Sequence, residues 1–194
     1  GMELILKSER LVLRPMATCD LDLSIELCTS PDVMKYVGDV ETEDQIIRKM
    51  PNYVKRCANG SIGVWCVADL LTNEKLGDAV LLPLPIDEDD TNWDLVSGDH
   101  LPEAEIEIGY MLKKSAWGKG YATEICRRML KFGFEETPLP EIVAVTDPKN
   151  TASQNVLKKS GLREEGMRRA YAEQCTAFRM TRQQWQESSQ EYSG

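Results

Sequence analysis

The sequence predicts a single α/β domain, and three kinds of segment predict it. Short stretches alternate apolar and polar residues, longer stretches repeat apolar residues at helical spacing, and one four-residue run is apolar throughout. The clearest alternation is Ala104-Glu105-Ile106-Glu107-Ile108, with both glutamates on one face and both isoleucines on the other. The clearest helix follows Trp117-Gly118-Lys119-Gly120, with Ala122, Ile125, Cys126, Met129, Leu130 and Phe134 forming one stripe. Ile142-Val143-Ala144-Val145 is the apolar run expected of a central strand. A chain of 194 residues fits one domain with its own core. That domain is read as residues 2–183, followed by a polar tail, 184–194, rich in Gln, Ser and Glu and expected to fray. Gly1 before Met2 reads as a residue left by tag removal.

The remaining elements follow in order. Ser8–Pro15 mixes charged and apolar side chains and stops at a proline, as a half-buried strand does. Asp20 can cap a helix running to about Thr29, ended by Ser30-Pro31. Thr42 and Gln45 have the spacing of a capping box for a second helix toward Asn59-Gly60, kinked or split at Pro51. Ile62–Ala68 and Leu76–Leu82 read as a hairpin around Thr72–Lys75. The stretch 83–102 carries Asp87, Glu88, Asp89, Asp90, Asp94 and Asp99 without a Lys or Arg, which predicts an exposed loop. Asp147–Asn150 turns into a helix ended by Gly161, and two strands follow, near 162–170 and 175–181. The order is β-α-α-β-β-β-α-β-α-β-β.

Composition narrows the function. A net charge of −9 argues against a nucleic-acid binder, which needs a basic face for phosphates. No apolar run reaches the ~18 to 20 residues of a membrane span, and no secretory signal is visible, so the chain reads as cytoplasmic. The six cysteines include no C-x-x-C pair and read as reduced, mostly buried thiols. With His100 the only histidine, no metal site is expected.

The chemistry concentrates at Gly118 and Gly120. Two glycines between a strand and a helix let the backbone approach an anion, and the first helical turn offers it unbonded N–H groups. A tight turn is the competing reading of so short a motif. A dinucleotide fingerprint fails because Thr123 stands where the third glycine belongs, and no P-loop pattern is present.

Trp117-Gly118-Lys119-Gly120-Tyr121-Ala122-Thr123-Glu124 resembles the acetyl-CoA-binding motif of the GNAT superfamily of N-acetyltransferases. Asn150–Leu162 resembles that superfamily's second motif, and Ser8–Pro15 the first strand of the branch containing ribosomal-protein N-terminal acetyltransferases. The similarity covers nearly the whole chain. It implies a mixed, mostly antiparallel twisted sheet with helices on both faces and a cleft where two strands splay. It also implies acetyl-CoA as cosubstrate, held by Trp117 and the backbone of Gly118, Lys119, Gly120, Tyr121 and Ala122, with Tyr110, Met111 and Leu112 pairing with the pantetheine arm. The Met111 amide would polarise the thioester carbonyl. Asn150, Ser153 and Asn155 would meet the pantetheine end, and Lys159 a CoA phosphate. Ser115 departs from the Gln or Arg that many members carry three residues before the first glycine, a small loss to a backbone cradle. Leu157 stands where many relatives place a tyrosine acid, which makes Ser153 the candidate to protonate the departing thiolate.

A protonated amine, with pKa ~10, cannot attack a thioester, so a carboxylate must take its proton. Glu107 is the expected base, and Glu105 the second candidate on the same face. The acceptor implied by the branch is a protein N-terminal amine, with a polyamine, amino acid or aminoglycoside as the alternative. A non-catalytic acyl-CoA-binding module is the rival of another class. Members of the family often pair as dimers.

Overall fold

The computed structural model describes residues 2–193, so Gly1 and the last residue of the expected tail lie outside the described residues. The elements are β1 (Leu6–Lys7), β2 (Leu11–Pro15), α1 (Leu21–Cys28), α2 (Pro31–Met34), α3 (Glu43–Tyr53), β3 (Gly63–Asp69), β4 (Lys75–Pro83) and β5 (Ile106–Leu112). They continue with α4 (Tyr121–Glu136), β6 (Glu141–Thr146), α5 (Thr151–Lys159), β7 (Arg163–Ala170), β8 (Glu173–Thr181) and α6 (Arg182–Ser193). One eight-stranded sheet runs β1-β2-β3-β4-β5-β6-β8-β7. Every neighbouring pair is antiparallel except β5–β6.

Alternation along β4 sorts the helices onto the two faces. Leu81 points toward Gly133 of α4, and Trp65 meets Phe132 of α4 edge-on at 5.4 Å. Asp78 and Val80 point the other way, to the side where α1 packs on α3. Apolar residues of α4 such as Ile125, Cys126, Met129 and Leu130 are buried as the sequence stripe predicts.

Four local expectations change. Asp20 makes no cap; its buried carboxylate takes both guanidinium nitrogens of Arg14 at 2.8 Å, the Ala17 amide and Lys75. The strand expected from Ser8 begins at Leu11, with Leu6–Lys7 forming a short hairpin partner. The capping box of Thr42 and Gln45 forms, but α3 ends at Tyr53, and Pro51 sits inside it without splitting it. The carbonyl that Pro51 leaves without its helical donor belongs to Ile47, an exposed residue. The tail instead forms α6, because Trp185 stacks on Phe134 at 5.8 Å and Arg182 bonds the carbonyls of Phe134, Thr137 and Leu139.

Strands β4 and β5 lie very close at Gly77, where an added Cβ would stand 2.0 Å from the Met111 carbonyl oxygen. That contact is backbone, so it cannot swing aside. Gly77→Ala is expected to destabilise the fold by about 1–3 kcal/mol, seen as a lower Tm in a thermal melt. An unchanged Tm would show that the two strands separate freely there.

Candidate active site

Strands β5 and β6 touch at a single register pair, Glu107 with Val143, and then diverge. β5 and β6 are the parallel neighbours of the sheet, joined through α4, and no later residue of β5 pairs with β6. A cavity of about 300 Å³ passes this gap and reaches both faces of the sheet. On the α5 side it is lined by Tyr110, Asn150, Ser153 and Leu157. On the α3 side it meets Tyr53, Asp78, Val80, Trp93 and Glu107.

Ladder parity determines which backbone groups face the gap. Lys113 N–H donates to Leu76 O at 2.9 Å, and Leu84 N–H to Glu105 O at 2.9 Å, at opposite ends of the β4–β5 pairing. The register runs between them without a shift, so Glu107, Gly109 and Met111 bond toward β4. The amides of Tyr110 and Leu112 face the gap instead. This corrects the expectation for Met111: its N–H lies on the Asp78 side, and the Tyr110 amide is the neighbouring one that faces the gap. Of the three residues expected to form the strand edge, Tyr110 and Leu112 do so, and the Leu112 carbonyl is already taken by Trp117 Nε1 at 2.8 Å. Trp117 therefore ties the end of β5 to the glycine loop while remaining 45% exposed.

Glu107 is buried at the cavity wall and accepts a hydrogen bond from the Tyr171 hydroxyl. Burial pushes its carboxyl up to about 8, with the Tyr171 bond pulling against that shift and Asp90 adding to it. Tyr171 occupies a two-residue hairpin with Ala172, both at positive φ (54° and 59°), and neither is a Gly or Asn. Strained backbone of this kind collects at functional positions, and the turn aims the phenol at Glu107. Sequence reasoning missed Tyr171; a Tyr-Ala pair in a tight hairpin turn was the available signal. Glu105, by contrast, is held by Arg168 and Arg179, each at 2.9 Å, which lowers its pKa.

On the opposite face, the Tyr110 hydroxyl lies 3.2 Å from Ser153 Oγ. Asn150 caps α5 by accepting from the Ser153 amide at 3.2 Å, and this fixes both side chains at the gap. Asn155 and Lys159 are exposed on α5 and do not line the cavity. Cys126 is fully buried, and burial raises its thiol to about 12, which excludes it as a nucleophile.

The cradle forms as the two glycines predict. Gly118 and Gly120 sit at φ 73° and 80°, and Gly120 is the N-cap of α4 without any side-chain cap. Among the described residues, no acceptor meets the N–H groups from Gly118 to Thr123. Arg10 holds the loop: its Nη1 donates to Lys119 O at 2.8 Å, its Nε pairs with Glu124 at 2.7 Å, and it lies 4.4 Å over the Tyr121 ring. Ser8 Oγ bonds the same glutamate at 2.6 Å. The sequence showed Ser8–Arg10 only as a strand entry, because its partner Glu124 is more than a hundred residues away. Beside Gly120 a second concavity gathers Arg10, Arg127, Arg128 and Lys131 against Glu9 and Glu124, a net excess of two positive charges. Positive charge thus borders the cradle, while the charged residues lining the cavity are Asp78, Asp90, Glu107, Asp147 and Glu173, all acidic.

An uncapped, glycine-led helix start offers an anion site, and here it stands beside the open gap between two splayed strands. A family model described as an acetyltransferase (GNAT) domain matches residues 10–163. The uncharacterized protein YkkB of Bacillus subtilis is 32% identical over 137 residues, 70% of this chain and 71% of that protein. The FsC-acetyl coenzyme A-N(2)-transacetylase of Aspergillus fumigatus is 30% identical over 159 residues, 81% of this chain and 64% of that protein. A GNAT-family acetyltransferase structure from Bacillus anthracis superposes with a TM-score of 0.71 at 25% identity, covering 92% of this chain and 99% of that one. The chain belongs to the GNAT family, and it is an acetyl-CoA-dependent acetyltransferase acting on an amine.

Proposed function

We propose that the protein acetylates a small cationic primary amine by direct attack, with Glu107 as the base. The observation that carries this reading is one cavity spanning the splay, with Glu107 and Tyr171 on one face and Tyr110 and Ser153 on the other. Acetyl-CoA lies with its pyrophosphate on the backbone from Gly118 to Ala122 and its pantetheine arm along Tyr110 and Leu112. The amine enters from the α3 side and gives its proton to Glu107. Its nitrogen then bonds the thioester carbon, and the Tyr110 amide receives the developing negative charge on oxygen. As the C–S bond breaks, Ser153, backed by the Tyr110 phenol, hands its proton to the thiolate, and the second proton shed by the newly bonded nitrogen restores the Ser153 hydroxyl. Holding both reactants in one cleft supplies much of the rate without an acyl-enzyme.

A small acceptor is favoured over the protein N-terminus implied by the branch resemblance. The carboxylates and the rings of Tyr53 and Trp93 suit a compact cation. The test pairs calorimetric titration with acetyl-CoA, against NADH and ATP as controls, with thiol release across small amines and unblocked peptides. Selective acetyl-CoA binding with release driven by small amines is expected. Binding without release in any amine would leave a non-catalytic acyl-CoA module, and release driven only by peptides would reverse the choice of acceptor.

A further inference from the structure

The glycine loop before α4 does not fix its own shape. Gly118 and Gly120 stand at φ 73° and 80°, and glycine visits such angles and their opposites at similar cost. On local grounds the peptide joining Lys119 to Gly120 is therefore free to turn over. Its direction matters, because a trans peptide aims its C=O and N–H to opposite sides. In the structure the Lys119 carbonyl turns to Arg10, which leaves the Gly120 N–H on the other side without an acceptor. That amide continues the row of unbonded N–H groups of Tyr121, Ala122 and Thr123. Turned over, the same peptide would set an oxygen beside them and repel an anion.

Among the described residues, Arg10 is the one side chain bonded to the backbone of 118–120. Its own position is set from several sides. Glu124 accepts both its Nε, at 2.7 Å, and its backbone N–H, at 2.8 Å, while the Tyr121 ring lies 4.4 Å beneath the guanidinium. Ser8 Oγ braces the same carboxylate, and Arg10 O accepts from the Leu70 amide at 2.9 Å, which refers the whole bracket to the sheet. Tyr121 and Glu124 both belong to the first turn of α4, so the bracket begins and ends on the element whose amides it arranges. Only a flat fork of donors meets a carboxylate, a carbonyl and a ring at once; a lysine ammonium does not. We propose that Arg10 is a positioning residue for the acetyl donor: by holding the Lys119 carbonyl it turns the Gly120 amide toward the bound pyrophosphate, and so sets the affinity for the nucleotide half of acetyl-CoA.

This inference rests on the pyrophosphate placement of the proposed function, so the test uses two donors that differ only in that half. Acetyl-CoA and S-acetylpantetheine are titrated calorimetrically into the wild type and three variants, with a melt to confirm folding. Arg10→Gln is expected to weaken acetyl-CoA binding roughly tenfold or more, the loss of one hydrogen bond to a charged group, and to leave S-acetylpantetheine binding nearly unchanged. Arg10→Lys keeps the charge but loses the fork, and most of the same loss is expected of it. Lys131→Gln removes a charge from the same concavity without touching the loop backbone, and costs less than about twofold because exposed charges are screened. In steady-state assays the Arg10 variants raise KM for acetyl-CoA while kcat holds, since the contact lies away from the reacting atoms. Full acetyl-CoA affinity in Arg10→Gln would overturn the inference. So would full rescue in Arg10→Lys, which reduces the residue to a point charge, and that variant carries the test if the glutamine variant does not fold. Equal weakening of both donors would make Arg10 a general structural support and overturn it as well. Should the wild type itself bind the two donors equally, the pyrophosphate placement falls and the role of Arg10 with it; a wild-type preference that the Arg10 variants keep removes that role alone.

Discussion

Glu107→Gln lowers turnover by roughly 10²–10⁴-fold while acetyl-CoA affinity holds, because a positioned base contributes about that much and the cradle lies on other elements. In the wild type, kcat/KM for the amine rises about tenfold per pH unit and levels near the Glu107 pKa of about 8, since only the ionised carboxylate accepts the proton. Tyr171→Phe moves that limb to higher pH, because the lost hydrogen bond had favoured the ionised form. The same substitution at Glu107 has an opposite effect on stability. An unfolded glutamate ionises near ~4.3, whereas burial holds the proton in the folded chain to about 8. Between those values the unfolded state releases its proton first, so rising pH favours unfolding. Glu107→Gln removes this loss. Its Tm should exceed that of the wild type above pH ~4.3, with the gap widening until about 8. Thermal melts across that window check the sign, and stopped assays check the rate. Full turnover with an unshifted pH profile would remove Glu107 as base.

Gly120→Val weakens acetyl-CoA binding by roughly tenfold to several hundredfold, the loss of one or two hydrogen bonds to a charged group. Two effects combine. The residue holds φ +80°, a region that β-branched side chains strongly disfavour. Its Cβ would meet only Arg10 Nη2, at 3.5 Å, so the new side chain projects over the open amides where the pyrophosphate would lie. Gly120→Ala shares the backbone strain with less bulk and separates the two contributions. Calorimetry measures the affinity and a melt confirms folding; a folded valine variant with normal affinity would displace the pyrophosphate from this loop.

How legible each part was follows from how local it is. The cradle depends on consecutive residues, so Gly118 and Gly120 disclosed it before any coordinates. The strand face of Glu107 was legible because alternation defined it, and Ser153 was singled out by the Asn-x-x-Ser spacing of the motif it resembles, with Leu157 in place of a tyrosine. Tyr171 was hidden, since its partner lies on a strand 64 residues earlier in the chain. Arg10 was hidden for the same reason, bonding Glu124 and Lys119 from the far end of the sequence. The fraying expected of the tail also failed on a long-range contact, the packing of Trp185 on Phe134.

The sequence by itself determined the order of the elements from β2 to β8 apart from the short α2, the glycine turn before α4 and the family, because hydrophobic periodicity and turn chemistry are properties of neighbouring residues. Only the tertiary structure decided that Tyr110 rather than Met111 turns its amide to the gap. A strand's residues point alternately to its two neighbours, and which parity faces which neighbour is set by hydrogen-bond register with a distant segment. The same long-range pairing brings Asp78 and Glu107 to one face, and it leaves Glu105, two residues from Glu107, paired with two arginines.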